Sequence, residues 1–495
     1  MSLINVSNLT FAYDGSYDNI FENVSFQIDT DWKLGFTGRN GRGKTTFLNL
    51  LSGKYEYSGS ITSCIKFEYF PYDVSDNKQF TIDIVKEICP GVQDWEIHKE
   101  FSLLEGAEDA LYRPFSTLSS GEQTKALMAA LFLKESAYLL IDEPTNHLDS
   151  EGRKTVSSYL NKKHGYILVS HDRVFLDSCI DHILSINKTN IEIQRGNFSS
   201  WLRNKEMKDS HETARNEKLK KDINRLNAAA ERTGRWSENI EKTKFGTKNS
   251  GLKPDRGFIG HKAAKMAQRS KTIEDRRKTA ADEKRSLMKN IESNETLKLS
   301  PLKFHTEKLV ELKVISIFYG EKAACSNVSF AINRGDRIAL HGKNGSGKSS
   351  ILKLICGEKV NYSGMFIKNK SLKISYVPQN FDFLYGSLDS YAKQKGIDIS
   401  LFKAILRKLD FSRTQFDKNI ENFSGGQKKK VLLAGSLCEE AHLYVWDEPL
   451  NYIDVISRIQ IETLLDEYKP TLLFVEHDQA FLDKIANKII YLDQE

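Results

Sequence analysis

Two kinds of hydrophobic pattern divide the chain. Toward both ends, short apolar runs that finish in polar residues alternate with amphipathic stretches, the pattern of a parallel α/β core. Val24-Ser-Phe-Gln-Ile28 alternates as a half-buried strand does, and Lys33-Leu-Gly-Phe-Thr37 is a buried strand leading into a glycine loop. Residues 44–52 then place Phe47, Leu48 and Leu51 on one side of a helix that Gly53 stops. Leu139–Ile141 and Ile167–Val169 are core strands whose C-terminal ends are expected to carry chemistry.

The middle follows another rule. Leu219, Ile223, Leu226 and Ala230 recur at helical spacing, and Met266, Ile273, Ala280 and Leu287 recur every seven residues, with Ile291 beyond. Two antiparallel helices joined along these stripes would make a hairpin. Gly246, Gly251, Pro254, Gly257 and Gly260 break the pattern between them and predict its tip.

The two ends are copies. GRNGRGKT begins at Gly38 and GKNGSGKS at Gly342; LSSGEQ begins at Leu118 and FSGGQK at Phe423. LLIDEPTNHLD begins at Leu139, YVWDEPLNYID at Tyr444, VSHD at Val169 and VEHD at Val475. The four pairs keep one offset to within two residues, from 304 for Lys44 and Lys348 to 306 for His171 and His477. A duplicated domain does this; chance does not.

Each copy carries phosphate chemistry. Gly38, Arg39, Asn40, Gly41, Arg42, Gly43, Lys44 and Thr45 fit G-x-x-x-x-G-K-[ST], as do Gly342, Lys343, Asn344, Gly345, Ser346, Gly347, Lys348 and Ser349. Such glycines let backbone N–H groups point at phosphate oxygens, and the helix that follows, through Thr46 and Ser350, adds its positive end. Lys44 and Lys348 are expected on the β- and γ-phosphates, and Thr45 and Ser349 on Mg²⁺. Asp142 and Asp447 end apolar strands where a carboxylate can hold Mg²⁺, and Glu143 and Glu448 can polarise the attacking water. His171 and His477 are placed to sense a γ-phosphate.

These residues resemble a family. Leu118-Ser119-Ser120-Gly121-Glu122 and Phe423-Ser424-Gly425-Gly426-Gln427 are similar to the signature of ATP-binding-cassette proteins; Pro144–Asp149 and Pro449–Asp454 are similar to its D-loop, and Tyr376-Val-Pro-Gln379 to its Q-loop. The resemblance implies ATP hydrolysis and two α/β cassettes, each with a helical subdomain, arranged head to tail. Lys44 would share its ATP with Ser424–Gly426, and Lys348 with Ser119–Gly121. Gln379 would lie near the metal, and Tyr13 and Tyr319 either stack on adenine or simply pack in their strands. Two departures predict unequal sites: Tyr72 stands where the second copy has Gln379, and Ser120 stands where a glycine is usual.

Composition narrows the rest. No apolar run approaches the roughly 18–20 residues of a membrane helix. The N-terminal MSLINVSNLTF lacks a basic region before an apolar core, so no secretory signal is expected. Cys64, Cys89, Cys179, Cys325, Cys356 and Cys438 show no C-x-x-C spacing, which fits reduced thiols in the cytoplasm. Net charge is +6, yet residues 201–300 hold 26 Lys/Arg against 15 Asp/Glu. That segment alone carries +11 and the remainder −5, so a polyanion partner is expected at the middle only. Between 242 and 271 lie nine basic residues and one acid, Asp255. Lys242, Lys244, Lys248, Lys253, Arg256, Lys262 and Lys265 are candidates for phosphate contact, and Phe245 and Phe258, near Trp236, for stacking on RNA bases.

Two cassettes around such a linker resemble the ABC-F translation factors, whose linker reaches the tRNA and peptidyl-transferase region of the large ribosomal subunit. Trp32-Lys-Leu-Gly35, the first glycine loop, Trp446-Asp-Glu-Pro-Leu-Asn451 and Glu476-His-Asp478 are similar to the Lsa/Vga-type antibiotic-resistance members. Those protect ribosomes from lincosamides, streptogramin A compounds and pleuromutilins. Gly121 follows Lys44 by 77 residues and Gly426 follows Lys348 by 78, too close for the arm some housekeeping members carry. The chain runs 18 residues past His477, so no long C-terminal extension is expected.

The expected architecture is therefore α/β: two tandem ATP-binding-cassette (P-loop) domains at 1–203 and 305–495. A two-helix antiparallel hairpin linker at 204–304 joins them, with its tip at about 240–262. The expected protein is a cytoplasmic monomer whose two cassettes pair within the chain. It uses ATP and Mg²⁺, binds large-subunit rRNA and tRNA, and touches neither DNA nor membrane. Its rivals are a housekeeping translation factor and the ATPase subunit of a membrane transporter.

Overall fold

The computed structural model describes residues 2–13, 19–134, 137–187, 191–243, 256–287, 297–320, 322–343 and 345–492. They form two compact units: Met1–Ser199 with Asn294–Glu495, and Ser200–Ser293.

The first unit contains both copies. In the first copy, strands Lys66–Phe70, Ala137–Asp142, Tyr166–Val169, Lys33–Gly38 and His182–Ile186 lie side by side in parallel, with Ile191–Arg195 antiparallel at the edge. In the second copy the order is Ile374–Val377, Leu443–Asp447, Leu472–Val475, Arg337–His341 and Lys488–Tyr491, all parallel. Beside each core sheet is an antiparallel three-stranded sheet, Phe21–Asp29, Leu3–Phe11 and Ser58–Thr62 in one copy and Lys322–Asn333, Lys308–Tyr319 and Asn361–Lys368 in the other. The strands expected at Val24–Ile28, Lys33–Thr37, Leu139–Ile141 and Ile167–Val169 all form, as does the helix, Lys44–Leu51.

Continuous apolar runs form these strands because both faces of the core sheet are covered. In the second copy Leu443 and Val445 pack toward the antiparallel sheet and the helix Lys348–Cys356, while Tyr444 and Trp446 face the helical side with Val431, Leu432 and Leu433. The helical side comprises Leu388–Lys395, Ile399–Lys408 and Gly425–Cys438; its counterpart comprises Thr81–Ile88, Asp94–Leu103 and Ser120–Leu133. Trp446 is fully buried and donates from Nε1 to Ser436 Oγ at 3.0 Å, which satisfies the polar edge of a large apolar ring.

The strand order brings the chemistry together. Asp142 pairs with Val169, and Phe36, two residues before Gly38, pairs with the same valine. Asp447 pairs with Val475 in the second copy. Phosphate loop, acidic pair and histidine therefore leave one edge of each sheet within a few ångströms of one another. The two copies also touch directly: helices Arg173–Cys179 and Gln479–Ile485, each just after its histidine, pack together.

One buried ion pair holds the second D-loop. Lys430 Nζ lies 2.8 Å from Asp454 Oδ2, and both side chains are almost wholly buried. Burial raises the Asp454 carboxyl pKa, but the Lys430 ammonium prevails and holds it well below the usual carboxylate range. Asp454 also caps the helix Val455–Tyr468 by accepting from Ser457 N.

Among the described residues the second unit is formed by the helix Phe198–Thr243, from Ser200 on, and the helix Arg256–Leu287. Gly257 and Gly260, read from sequence as interruptions, lie inside the second helix. A helical glycine costs about 1 kcal/mol against alanine and the surrounding residues absorb it. Gly246, Gly251 and Pro254 lie outside the described residues. Met266, Ile273 and Ala280 of the predicted stripe are half-buried between exposed charges. Among the described residues no helix is long and apolar enough to cross a membrane, and all six cysteines are free.

Lys430→Met would leave Asp454 buried without its ion-pair partner. The expected cost is about 3–5 kcal/mol, read as a lower urea midpoint for the transition that quenches Trp446. An unchanged midpoint would show that the pair does not hold the loop.

Candidate nucleotide sites between the two copies

The glycines shape each phosphate loop. Gly41 and Gly43 adopt φ of 80° and 92°, and Gly345 and Gly347 of 84° and 83°. These values are costly for any side chain. At Gly347 a Cβ would also meet the Ala324 carbonyl oxygen at 2.8 Å. Lys44 Nζ donates to the Gly38 and Arg39 carbonyls at 2.8 and 3.3 Å, and Lys348 Nζ to those of Gly342 and Lys343 at 2.7 and 2.8 Å. Burial lowers the pKa of both lysines. Asn344 lies outside the described residues.

Two pockets follow, and each is built from both copies. One, of about 410 Å³, is lined by Asn40, Gly41, Gly43, Lys44, Thr45, Thr46, Asp142, Glu143 and His171 of the first copy. The second copy adds Ser424, Gly425, Gly426, Gln427 and Tyr452. The other, of about 590 Å³, is lined by Gly345, Gly347, Lys348, Ser349, Ser350, Gln379, Glu448 and His477, with Ser119, Ser120, Asn146 and Leu148 from the first copy. Gly121, Glu122 and Lys343 line a neighbouring cavity.

The signature segments are helix starts. Ser119 Oγ accepts from Glu122 N while Glu122 Oε2 accepts from Ser119 N at 2.8 Å; Ser424 and Gln427 do the same. The fifth residue of each motif is thus occupied in a capping box, and each serine stands at a helix N-terminus facing the other copy's phosphate loop. Gly426 must be glycine, since a Cβ there would lie 2.5 Å from the Tyr452 carbonyl oxygen.

The acidic pairs sit opposite. Asp142 Oδ2 accepts from Thr45 Oγ1 at 2.8 Å and from Tyr69 Oη at 3.1 Å. Burial raises its pKa, and pushes Asp447 up to about 6. Asp447 Oδ1 is buried with no hydrogen-bond partner. Carboxylate and hydroxyl oxygens of this kind suit Mg²⁺, a hard cation that takes oxygen ligands. Gln379 Nε2 donates to Glu448 Oε2 at 2.9 Å, so its amide engages the second acid rather than Asp447.

Glu143 and Glu448 adopt left-handed φ of 50° and 46°, and their backbone N–H groups bond to Val169 and Val475. Burial, with the charge of Asp142, pushes the Glu143 carboxyl up to about 8. His171 Nε2 lies 3.3 Å from Glu143 Oε1 and 3.1 Å from Asn40 Oδ1. Burial keeps this imidazole neutral, and with Asn40 Oδ1 as its hydrogen-bond partner the proton belongs on Nε2. Asn40 Nδ2 donates to the Tyr452 carbonyl at 2.5 Å, linking the histidine to the other copy's D-loop. Burial pushes His477 down to about 3, and its Nε2 stands 3.9 Å from Glu448 Oε1.

The remaining candidates are more scattered. Tyr13 is 42% exposed, shares a hydrogen bond with Thr46 Oγ1 at 2.8 Å and meets Phe11 and Tyr55 edge-on. Tyr319 is 53% exposed at the end of its strand. Tyr72 turns away to Glu68 Oε2 at 3.3 Å. Phe258, Lys262 and Lys265 are exposed on the second linker helix. Lys244, Phe245, Lys248 and Lys253 lie outside the described residues, as do the side chains of Lys242, Arg256 and Trp236.

Sequence reasoning missed Tyr69 and Tyr452. Tyr69-Phe-Pro-Tyr72 is in register with Tyr376-Val-Pro-Gln379, so the repeat marked a tyrosine at one place in both copies. Tyr452 contributes its carbonyl, which any residue possesses, and left no signal.

The ABC transporter family model matches residues 21–146 and 325–451, just over half of the chain. The chain belongs to the ATP-binding-cassette family. It is a tandem ABC ATPase of the ABC-F kind, and it binds and hydrolyses ATP. It is 28% identical to the ribosome protection protein VmlR of Bacillus subtilis (strain 168), over 98% of this chain and 85% of that one. It is 25% identical to the energy-dependent translational throttle protein EttA of Escherichia coli (strain K12), over 96% and 90% respectively. The solved archaeal ribosome recycling factor aABCE1, in complex with the stalk protein aP1, shares the fold with a TM-score of 0.63 at 18% identity, covering 98% of this chain and 87% of that one.

Because Gln379 bonds Glu448 while Tyr72 leaves Glu143 untouched, Glu143→Gln and Glu448→Gln are expected to slow ATP hydrolysis unequally. Both losses should fall within the roughly 10²–10⁴-fold typical of a general base. Equal steady-state losses in the two variants would remove the reason to call the sites different.

Proposed function

We propose that the chain is a cytoplasmic ABC-F ATPase that docks on the ribosome in its ATP-bound form and shields the large subunit from lincosamide, streptogramin A and pleuromutilin antibiotics. The observation that carries the ATP-driven part is the shared lining of both pockets. A triphosphate on Lys44 would be capped by Ser424–Gly426, and one on Lys348 by Ser119 and Ser120. Nucleotide then binds the closed arrangement better than the open one, which is the condition for a ligand to shift a population. A shift from 1:99 to 99:1 needs a preference of about 10⁴, so roughly 100-fold at each of two sites suffices.

Within each site the roles divide. Backbone N–H groups of the loop and the lysine hold the phosphates, while Thr45 with Asp142, and Ser349 with Asp447, hold Mg²⁺, which supplies charge neutralisation on the phosphate oxygens. Glu143 and Glu448 orient and polarise the attacking water, and His171 and His477 donate toward the γ-phosphate. Hydrolysis removes the group that bridges the copies, and the pair reopens.

The ribosome enters through the relatives and the charge. VmlR is named a ribosome protection protein and EttA a translational throttle, and this chain's +11 is confined to residues 201–300. Phe258, Lys262 and Lys265, with their neighbours toward 242, would meet rRNA and tRNA, with an affinity that falls as salt rises. The similarity to EttA supports a second reading, a translation factor with no drug role.

The Glu143→Gln/Glu448→Gln double variant is expected to co-sediment with ribosomes in ATP and to leave them in ADP. Failure to pellet with ATP would sink the ribosomal reading. Unchanged lincosamide susceptibility on deleting the gene would leave the housekeeping one.

A further inference from the structure

The two copies face each other through pseudo-equivalent surfaces, so each contact around one pocket should have a twin around the other. Two ion pairs break this rule. Beside the Lys44 pocket, Arg42 of the first phosphate loop reaches Asp410 at 3.2 Å across the copies. Behind the same pocket, Arg173, two residues after His171, makes a two-pronged pair with Glu462 on the helix that follows the second D-loop; the Nη1–Oε2 bond is 3.2 Å. Arg173 also approaches Asp478 Oδ1 at 3.8 Å, and Lys484 supports Glu462 at 3.4 Å. Glu462 is 1% exposed and Arg173 14%.

At the Lys348 pocket the repeat puts other residues in all four places. Arg42 becomes Ser346, Asp410 becomes Glu105, Arg173 becomes Gln479 and Glu462 becomes Ser157. Glu105 is engaged inside its own copy, accepting from Thr155 at 2.8 Å. Beside Glu105, the twin of Asp410, there is a cavity of about 420 Å³ that reaches Lys343 of the second phosphate loop. Where the second ion pair would lie, there is a cavity of about 360 Å³ between Ser157 and Gln479. Among the described residues, the ionic contact across this side is Lys343 with Glu151 at 3.8 Å; it joins side chains that are 82% and 76% exposed and contributes little.

We propose that the cassettes part unequally: Arg42–Asp410 and Arg173–Glu462 latch the Lys44 site, so the pair hinges there, and nucleotide enters and leaves through the Lys348 site. A bidentate arginine–carboxylate pair with one partner fully buried resists separation far more than an exposed pair does. Opening at the Lys348 side breaks no such pair and starts from two existing voids. The inference rests on both pockets taking nucleotide, and its test separates the two ideas.

The full chain is loaded with a fluorescent ADP analogue carrying a methylanthraniloyl group, and its release is followed by stopped flow against excess ATP. The expected result is two bound equivalents leaving in two phases. Lys44→Met should delete the slow phase and Lys348→Met the fast one. Glu462→Gln should speed the slow phase about tenfold or more, as breaking a buried pair implies. Asp410→Asn, less buried and so a safer fold, should speed it about threefold. The transplant Ser157→Glu/Gln479→Arg should slow the fast phase instead. Two equivalents leaving in one phase, or a slow phase that neither single variant changes, would overturn the latch while sparing the sites. No saturable binding would overturn both.

Discussion

A single close approach organises the interface. The backbone at Gly426 comes so near the Tyr452 carbonyl and the Asn40 amide that no side chain fits between them. There the signature helix of the second copy, its D-loop and the phosphate loop of the first copy meet in the space of one methyl group. Everything that gives the Lys44 pocket its far wall follows from that contact: Ser424 is presented by its capping box, Asn40 is oriented by the carbonyl it donates to, and His171 by Asn40. Without the second copy, the first would have a phosphate loop open to solvent and a histidine with a free-swinging partner.

The same geometry explains how buried acids persist here. Removing carboxylates from water raises their pKa unless cations or donors compensate. Asp454 has Lys430 and is held strongly acidic, whereas Glu143 has mainly the more distant Lys44 and is pushed to about 8. The structural acid is fully compensated and the catalytic candidate is not, which is the usual contrast between a scaffold and a reactive centre.

Much of this was readable in the amino-acid order, because repeat and motif spacing report on backbone geometry. G-x-x-x-x-G-K-[ST] names its own φ angles, and Asp142-Glu143 announces a strand end. The capping boxes of Ser119 and Ser424 are visible as S-x-x-E and S-x-x-Q. What stayed hidden depends on three-dimensional neighbours. Tyr69 acts through a hydroxyl that reaches an adjacent strand, Tyr452 through its carbonyl, and Arg173 through a glutamate 289 residues away. Gly257 and Gly260 misled for a related reason: propensity is a weak local term, and a long helix overrides it.

The composite pockets also constrain how the gene can change. Each half supplies the loop of one site and the lid of the other, so drift in one copy is felt in its twin's chemistry. A serine altered near residue 119 alters the environment of Lys348, not of Lys44. Neither half can be exchanged for that of a relative without matching the opposite face again. The duplicated halves must therefore co-evolve as strangers with one shared grip, even as their own sequences drift apart.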